Sequence, residues 1–332
     1  MSSKAAPILP GATLGILGGG QLGRMFTLAA RTMGYRVMVL DPDPMSPAGQ
    51  MADVHLQAGY TDAAALQQLA EACAAITTEF ENVPAASLNA LAQRCRVAPG
   101  ADAVAVAQDR SHEKSWLAQN GFATAPFALV YSEGDLDAAL AEVGTPALLK
   151  VARFGYDGKG QARVNSREDA RAAFREFGDQ PCVLEGFVQL DCEVSVVLAR
   201  NDAGDCALFP VAENRHVNGI LDVSLVPARV SEALAHAARD TARAIADALG
   251  YVGVMAVEFF VGGGRLLVNE IAPRPHNSGH YTLDACATDQ FEQQVRALCN
   301  LPLGDARLLT PVAMVNILGH RWQDDGPHWD AL

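Results

Sequence analysis

Two glutamates occupy the arms of a predicted hairpin in the last third of the 332-residue sequence. Glu258 lies in a strand over Val252 to Val261, Glu270 in a strand over Arg265 to Ile271, and Gly262-Gly263-Gly264 joins them. With a three-residue turn, Val261 faces Arg265, Glu258 faces Val268, and Glu270 is the same-face diagonal neighbour of Glu258, its α-carbon roughly 7–8 Å away. Two carboxylates set among Val, Phe, Leu and Ile repel each other unless a cation lies between them. Magnesium suits the pair, because it takes hard oxygen ligands and leaves positions for triphosphate oxygens. The plainer alternative is an ion pair from one of them to Arg265 or Arg274. Asn269 flanks the pair, and Arg274, His276, Asn277, Ser278 and His280 crowd the segment that follows. A guanidinium and amide donors there suit a bicarbonate or acyl-phosphate anion.

Two glycine-rich loops are candidate phosphate cradles. Gly18-Gly19-Gly20-Gln21-Leu22-Gly23 satisfies G-x-G-x-x-G between a strand and a helix, and Asp41 ends the next strand where a ribose-binding acid would sit. Glycines there let the backbone approach an anion resting on the helix N-terminus; a tight turn without ligand is the alternative. Gln21 and Arg24 at the helix entrance suit a single phosphate as well as a pyrophosphate. The second loop, Gly155-Tyr156-Asp157-Gly158-Lys159-Gly160-Gln161, follows a strand ending at Lys150. A cation beside such a loop neutralises phosphate oxygens while backbone N–H groups close over them. No G-x-x-x-x-G-K-[ST] occurs, so this is not a Walker loop, and a hairpin turn with a solvated lysine is the alternative.

Lys and Arg total 25 against 38 Asp and Glu, a formal charge of −13, so cations serving a phosphate must be concentrated locally. The same excess of acid argues against nucleic acid or an anionic membrane as partner. No run approaches the roughly 18 apolar residues of a spanning helix, and the N-terminus has no apolar signal core, which predicts a soluble, cytoplasmic protein. None of the seven cysteines shows the two-residue gap of a zinc or redox site, which reads as reduced thiols. No H-E-x-x-H or Ser/His/Asp order is present, and His55, His236, His320 and His328 read as structural.

The elements that position these groups follow from periodicity. Strands at Thr13 to Leu17, Arg36 to Leu40, near Val54 and at Ala75 to Thr78 alternate with helices from Gln21 and over Asp62 to Ala72. That alternation predicts a parallel sheet covered on both faces, closed at Ala98-Pro99-Gly100. Residues 112 to 185 read as a compact α+β insert: a helix from His112 to Gln119, strands at Ala147 to Val151 and Val183, and a helix near Glu168 to Phe177. Strands over Glu193 to Arg200 and Ala207 to Val211, a helix from Glu232 to Leu249 capped by Ser231, and the acidic hairpin complete the chain.

Together these strings resemble the ATP-grasp ligases, and among them the N5-carboxyaminoimidazole ribonucleotide synthetase family. The matching runs are GILGGGQLGRM, TEFENVP, QDR, LLKVARFGYDGKGQ, VLEGFVQLDCEVSVVLAR, ENRHVNGIL, LGYVGVMAVEFF and VNEIAPRPHNSGHYT, in the family's order from about residue 13 to 320. The resemblance implies an ATP-grasp fold: a Rossmann-like unit over 1–110, a lid over 111–185 and an antiparallel catalytic unit over 186–332. It implies that Arg110, Lys150 and Gly155, Tyr156, Asp157, Gly158, Lys159, Gly160 and Gln161 bind ATP phosphates. Glu185, Gly186, Phe187 and Val188 would form the hinge reading adenine, Glu193 would hold the ribose, and His216 and Asn269 would complete the nucleotide site. Glu258 and Glu270 would carry one or two magnesium ions. Gly20, Gln21, Leu22, Glu79, Tyr156 and Arg274 would contact 5-aminoimidazole ribonucleotide. Arg274, His276 and Asn277 would position bicarbonate, with Lys150 sharing the phosphoryl charge.

The implied activity is ATP- and bicarbonate-dependent carboxylation of the ribonucleotide amine in purine biosynthesis, by a homodimer. One departure stands out. Family members usually continue beyond the strand at Ala313 to Leu318 into a segment with a Lys and an Arg-Pro-Gly-Arg-Lys stretch on the substrate phosphate, whereas this sequence reads QDDGPHWDAL to Leu332. An NAD-dependent oxidoreductase would explain residues 13 to 41 but leaves Lys150, the second loop and the acid pair without a role. A formate-using ATP-grasp transformylase would share the ATP-binding parts, but HNSGH and GGGQLGRM argue against it. A non-catalytic nucleotide binder is the third rival.

Overall fold

The computed structural model describes residues 6–155 and 159–319. Tyr156, Asp157 and Gly158, and likewise His320 and His328, lie outside the described residues. The N-terminal unit runs β1 (Thr13–Leu17), α1 (Gln21–Thr32), β2 (Arg36–Leu40), β3 (Val54–Leu56), α2 (Ala63–Ala72), β4 (Ala75–Thr78), α3 (Ala85–Ala92) and β5 (Arg96–Val97). Its five strands are parallel in the order β3-β2-β1-β4-β5, as the alternation predicts. The period of two sorts their side chains. Leu14, Ile16, Val37 and Val39 meet α1 on one face, while Leu17, Met38, Leu40 and Ile76 meet α2 and α3 on the other.

After α4 (Ala101–Gln108) and α5 (Arg110–Gln119) come β6 (Phe127–Val130), α6 (Leu136–Val143), β7 (Ala147–Val151), β8 (Gln161–Val164), α7 (Arg167–Glu176) and β9 (Cys182–Gly186). The last four strands pair antiparallel in the order β6-β9-β7-β8. Helices α6 and α7 cover one face with Leu136, Ala170, Ala173 and Phe174. Helix α5 belongs elsewhere: its Leu117 is buried with residues of the large sheet.

That sheet contains β10 (Cys192–Arg200), β11 (Cys206–Leu208), β12 (Ala212–Val217), β13 (Ile220–Val226), β14 (Gly253–Gly262), β15 (Arg265–Ala272) and β16 (Val312–Val315). The order is β15-β14-β10-β12-β13-β16, with β11 paired to β10. Helix α8 (Glu232–Ala248) packs Ala238, Ala242 and Ile245 on one face, and Ser231 caps it by accepting from the Leu234 N–H. After a short α9 (Thr282–Ala285), α10 (Gln290–Leu298) ties the units together. Its Phe291, Val295 and Leu298 lie in the core of the N-terminal sheet. Its Gln294 accepts from the Val254 N–H and donates to Thr77, joining β14 to β4. A buried apolar helix face shared between two sheets stabilises their relative placement by several kcal/mol, since losing one phenylalanine from such a core costs about 3–5.

Candidate active site

The acid pair is set by the hairpin, and the turn is tighter than the sequence suggests. Gly263 and Gly264 have φ of +57° and +72°, which closes a two-residue turn with Gly262 opposite Arg265. The register therefore shifts by one from the three-residue expectation, and Val261 faces Leu266. A bulge then inserts Asn269 between the pairs Phe259–Val268 and Glu258–Glu270, so the two carboxylates are directly opposite rather than diagonal. Helix α5 clamps the bulge on both sides. Lys114, fully buried, donates to the Asn269 carbonyl at 2.8 Å, and Glu113 accepts from the Ile271 N–H at 2.5 Å.

This arrangement fits a hard divalent cation. Burial, and after it the Glu270 carboxylate opposite, push Glu258 up to about 8 in the absence of a cation, with His216 opposing. A cation between the two removes both penalties. Asn269 Oδ1 is buried with no hydrogen-bond partner, a further hard oxygen at the same bulge. Among the described residues no group of three His, Cys, Asp or Glu is arranged to hold a metal alone, so phosphate oxygens would supply the other ligands.

Facing the acids is a cluster of cations around one carboxylate. Glu185 on β9 is buried, with Lys150 Nζ at 3.0 Å, Lys114 Nζ at 3.4 Å and Arg110 Nη1 at 3.8 Å. Burial would raise its pKa, yet Lys114, Lys150 and Arg110 hold it at about 2. Lys150 is pulled down by burial and by the two neighbouring cations, with Glu185 opposing. Three cations on one carboxylate leave positive charge for a polyanion. Arg110 also reaches Glu270 at 3.4 Å, linking this cluster to the acid pair.

His216 Nδ1 lies 3.0 Å from Glu193 Oε2; burial lowers its pKa, but Glu193, then Glu258 and Glu270, raise it overall. Arg274 is fixed by Glu81 at 2.6 Å. Burial opposes the Arg274 charge, but Glu81 outweighs it, and Glu81 is in turn held below the usual carboxylate range by Arg274. His276 is 3.1 Å from Glu258 through Nε2, and Gln290 grips its backbone N–H and carbonyl at 2.9 and 2.7 Å.

The first glycine loop departs from expectation. The Gly20 and Gly23 N–H groups both donate to Glu79, the latter at 2.5 Å. A carboxylate of the chain thus occupies the anion position at the N-terminus of α1. A side chain is excluded at Gly23, where a Cβ would lie 2.8 Å from the Gly18 backbone carbonyl. Asp41 is not free for a ribose either, since its Oδ2 accepts from the Gly19 N–H and the Tyr60 hydroxyl, both at 2.7 Å.

A single cavity of about 640 Å³ joins these parts. Its lining includes Gly20, Gln21, Leu22, Glu79, Arg110, Lys150, Gly155, Lys159, Gly160, Gln161, Glu193, His216, Glu258, Asn269, Glu270, Arg274, His276 and Asn277. Glu185, Gly186, Phe187 and Val188 are not among the lining residues, and the Gly186 and Phe187 N–H groups are taken by the Pro126 and Pro146 carbonyls. The hinge expectation meets a Glu185 side chain already committed to the cations. Tyr156, Asp157 and Gly158 are outside the described residues.

The family model for the ribonucleotide synthetase preATP-grasp domain matches residues 11–108, and that for the ATP-grasp domain matches residues 115–291. The N5-carboxyaminoimidazole ribonucleotide synthase of Brucella melitensis is 48% identical over 313 residues, covering 93% of this chain and 86% of that protein. The chain belongs to the N5-carboxyaminoimidazole ribonucleotide synthase family of ATP-grasp ligases. The N5-carboxyaminoimidazole synthetase structure from Staphylococcus aureus, complexed with ADP, is 39% identical with a TM-score of 0.91, over 95% of this chain and 85% of that one. The Aspergillus clavatus synthase, in complex with ADP and 5-aminoimidazole ribonucleotide, is 31% identical with a TM-score of 0.87, over 93% and 82%.

In this member of the N5-carboxyaminoimidazole ribonucleotide synthase family, Glu81, Glu113 and Lys114 hold the site together but escape sequence reasoning. Each lies within a matching motif or beside one, yet its partner is Arg274, Ile271 or Asn269, over 150 residues away in sequence. Buried charge in a helix such as α5 is the one signal available, and burial is not readable from a polar run like Arg110-Ser111-His112-Glu113-Lys114.

Proposed function

We propose that the chain transfers a carboxyl group from bicarbonate to the exocyclic amine of 5-aminoimidazole ribonucleotide at the expense of ATP. The observation that carries this reading is the one cavity in which an opposed glutamate pair, a cation cluster and the Arg274-His276-Asn277 segment converge. Lys150, Arg110 and the Gly155–Gln161 loop hold the phosphates of ATP, and Glu193 with His216 takes the ribose. Glu258, Glu270 and Asn269 hold magnesium, which when bound neutralises the charge on the terminal phosphates. A bicarbonate oxygen attacks the γ-phosphorus, the bond to the bridging oxygen breaks, and ADP leaves with the electron pair. Arg274 and Asn277 orient the bicarbonate in line.

Carboxyphosphate then expels phosphate to give carbon dioxide, whose carbon is attacked by the amine as a proton leaves. Both species are lost to water, so the β6–β9 lid over the cavity excludes it. In this scheme the unit 1–110 serves the substrate, β6 to β9 with α6 and α7 form the lid, and the unit from 186 onward, joined by α5, serves catalysis. No helix among the described residues is long and apolar enough to cross a membrane, and a homodimer in the cytoplasm completes the proposal. ADP release that requires bicarbonate and rises with the ribonucleotide is the expected result. Nicotinamide-dependent absorbance change, or ADP release indifferent to both, would end the reading. Glu270→Gln removes one hard anionic ligand, and turnover should fall below detection with the melting temperature kept; wild-type turnover would refute the metal assignment.

A further inference from the structure

Helix α10 carries three glutamines, Gln290, Gln293 and Gln294, none more than 1% exposed. Buried amides need partners, and each of these finds them outside its own helix. Gln293 takes the N–H and the carbonyl of Gly304, at 3.0 and 2.7 Å. Gln290 takes the N–H and the carbonyl of His276, at 2.9 and 2.7 Å, and its Nε2 also lies 3.3 Å from His280 Nδ1. A backbone N–H only donates and a carbonyl only accepts, so each partner fixes which way the amide is turned.

The Gln290 clamp falls where the chain has left its strand. β15 ends at Ala272, and Pro273-Arg274-Pro275-His276-Asn277 follows, with two prolines that have no N–H to pair. Arg274 and Asn277 line the cavity, and the backbone between them is gripped from behind by Gln290. The adjacent apolar face of α10 sets Phe291, Val295 and Leu298 with Phe26 and Ala30 of α1 in the core of the N-terminal sheet. One helix therefore ties the Arg274–Asn277 backbone to α1, whose first residue, Gln21, lines the same cavity. Gly279 leaves room for the amide. It lies in the helical turn Asn277–Gly279, and a Cβ there would sit 2.6 Å from Gln290 Oε1.

We propose that Gln290 is a positioning residue: by clamping the His276 backbone it holds Arg274 and Asn277 at the bicarbonate end of the cavity, in register with the unit that receives the ribonucleotide. The catalytic meaning rests on the function proposed above, but the clamp does not, and hydrogen exchange reads it without turnover. On the full chain labelled with 15N-histidine, the His276 amide is assigned by its loss in His276→Gln. It should exchange roughly tenfold faster in Gln290→Met, which keeps an unbranched side chain and loses both hydrogen bonds. Equal exchange overturns the clamp. In Gln290→Met the KM for bicarbonate should rise roughly tenfold and the KM for ATP stay within about twofold, because Lys150 and Arg110 lie on β7 and α5. Less ribonucleotide should also be carboxylated per ADP released than in the wild type, since the segment has lost its tie to α1. Gly279→Ala keeps Gln290 but displaces its amide, and should act in the same direction. Gln293→Met removes the equivalent clamp on Gly304, which is not a cavity residue, and should lower the melting temperature with the KM for bicarbonate unchanged. A rise in that KM as large as in Gln290→Met, a matching rise for ATP, or an unchanged ratio of product to ADP overturns the positioning role. If exchange at His276 behaves as expected yet the wild type shows no bicarbonate-dependent turnover, the function proposed for the site fails and the clamp stands.

Discussion

The two glycine-rich loops of the cavity stand at opposite electrostatic poles. At Gly18–Gly23 the backbone donors turn inward onto carboxylates of the chain itself, Gly19 to Asp41 and Gly20 with Gly23 to Glu79. Burial is the largest influence on Glu79 and raises its pKa against those donors. Beside the loop at Gly155–Gln161, Lys150, Lys114 and Arg110 surround Glu185, and only Arg110 reaches a second carboxylate, Glu270, so the three cations outnumber their two acidic partners. The lesson is that a glycine loop fixes how closely a group can approach the backbone, while residues from other strands decide the charge of that group. A polyphosphate belongs at the second pole; an anion reaching the first must displace Glu79.

Lys150→Ala tests the second pole and should have the largest effect. Losing one charge-assisted contact costs about 1.5–3 kcal/mol, so the KM for ATP should rise roughly 10- to 150-fold in an ADP-release assay. An unchanged KM would mean that the phosphates lie elsewhere. Glu79→Ala tests the first pole. It leaves two helix N-terminal donors without their acceptor, at about 1–3 kcal/mol of folding stability by denaturant titration. It also opens the anion position, so inorganic phosphate should raise the melting temperature of the variant more than that of the wild type, where only the Lys150 cluster can take it. Equal stabilisation of both would erase the contrast between the loops.

The sign of a pH effect follows from the raised pKa of Glu79. The folded chain holds that proton more tightly than the unfolded one, so the contribution of Glu79 is most favourable at low pH and declines as pH rises through the folded pKa. Glu79→Gln should remove that component of the stability–pH curve.

Much of this geometry was legible in the chain. Strands such as Arg36–Leu40 and the helix over Ala63–Ala72 announce themselves by period, and their core faces follow. The strand β12 did not, because Ala212–Val217 reads Ala-Glu-Asn-Arg-His-Val, polar where His216 lines the cavity and Asn214 makes buried hydrogen bonds to Ser195 and Ser224. Three consecutive glycines cannot reveal whether two or three form a turn, and the hairpin register hung on that choice. The acid pair, Lys150 and Arg274 were visible as chemistry. Their supports were not, since Lys114 meets Asn269 across 155 positions and Gln294 meets Thr77 across 217. Local sequence carries periodicity and turn chemistry, whereas closure of buried charges is a property of the assembled core.

Gln21 offers the finest discrimination between the poles. It is the first residue of α1, on the cavity wall beside the Glu79-capped loop, whereas Lys150 lies on β7 of the four-stranded sheet. A neutral side-chain contact is worth on the order of 1 kcal/mol, so Gln21→Ala should raise the KM for 5-aminoimidazole ribonucleotide about fivefold and leave the KM for ATP nearly unchanged. Its backbone N–H persists in the variant, and the Gly20 and Gly23 donors stay on Glu79, so the loop itself is not unmade. A larger rise for ATP than for the ribonucleotide would exchange the two ligands between the poles. That result would also require the Lys150 cluster to attract the sugar phosphate, which a matching loss of ribonucleotide affinity in Lys150→Ala would reveal.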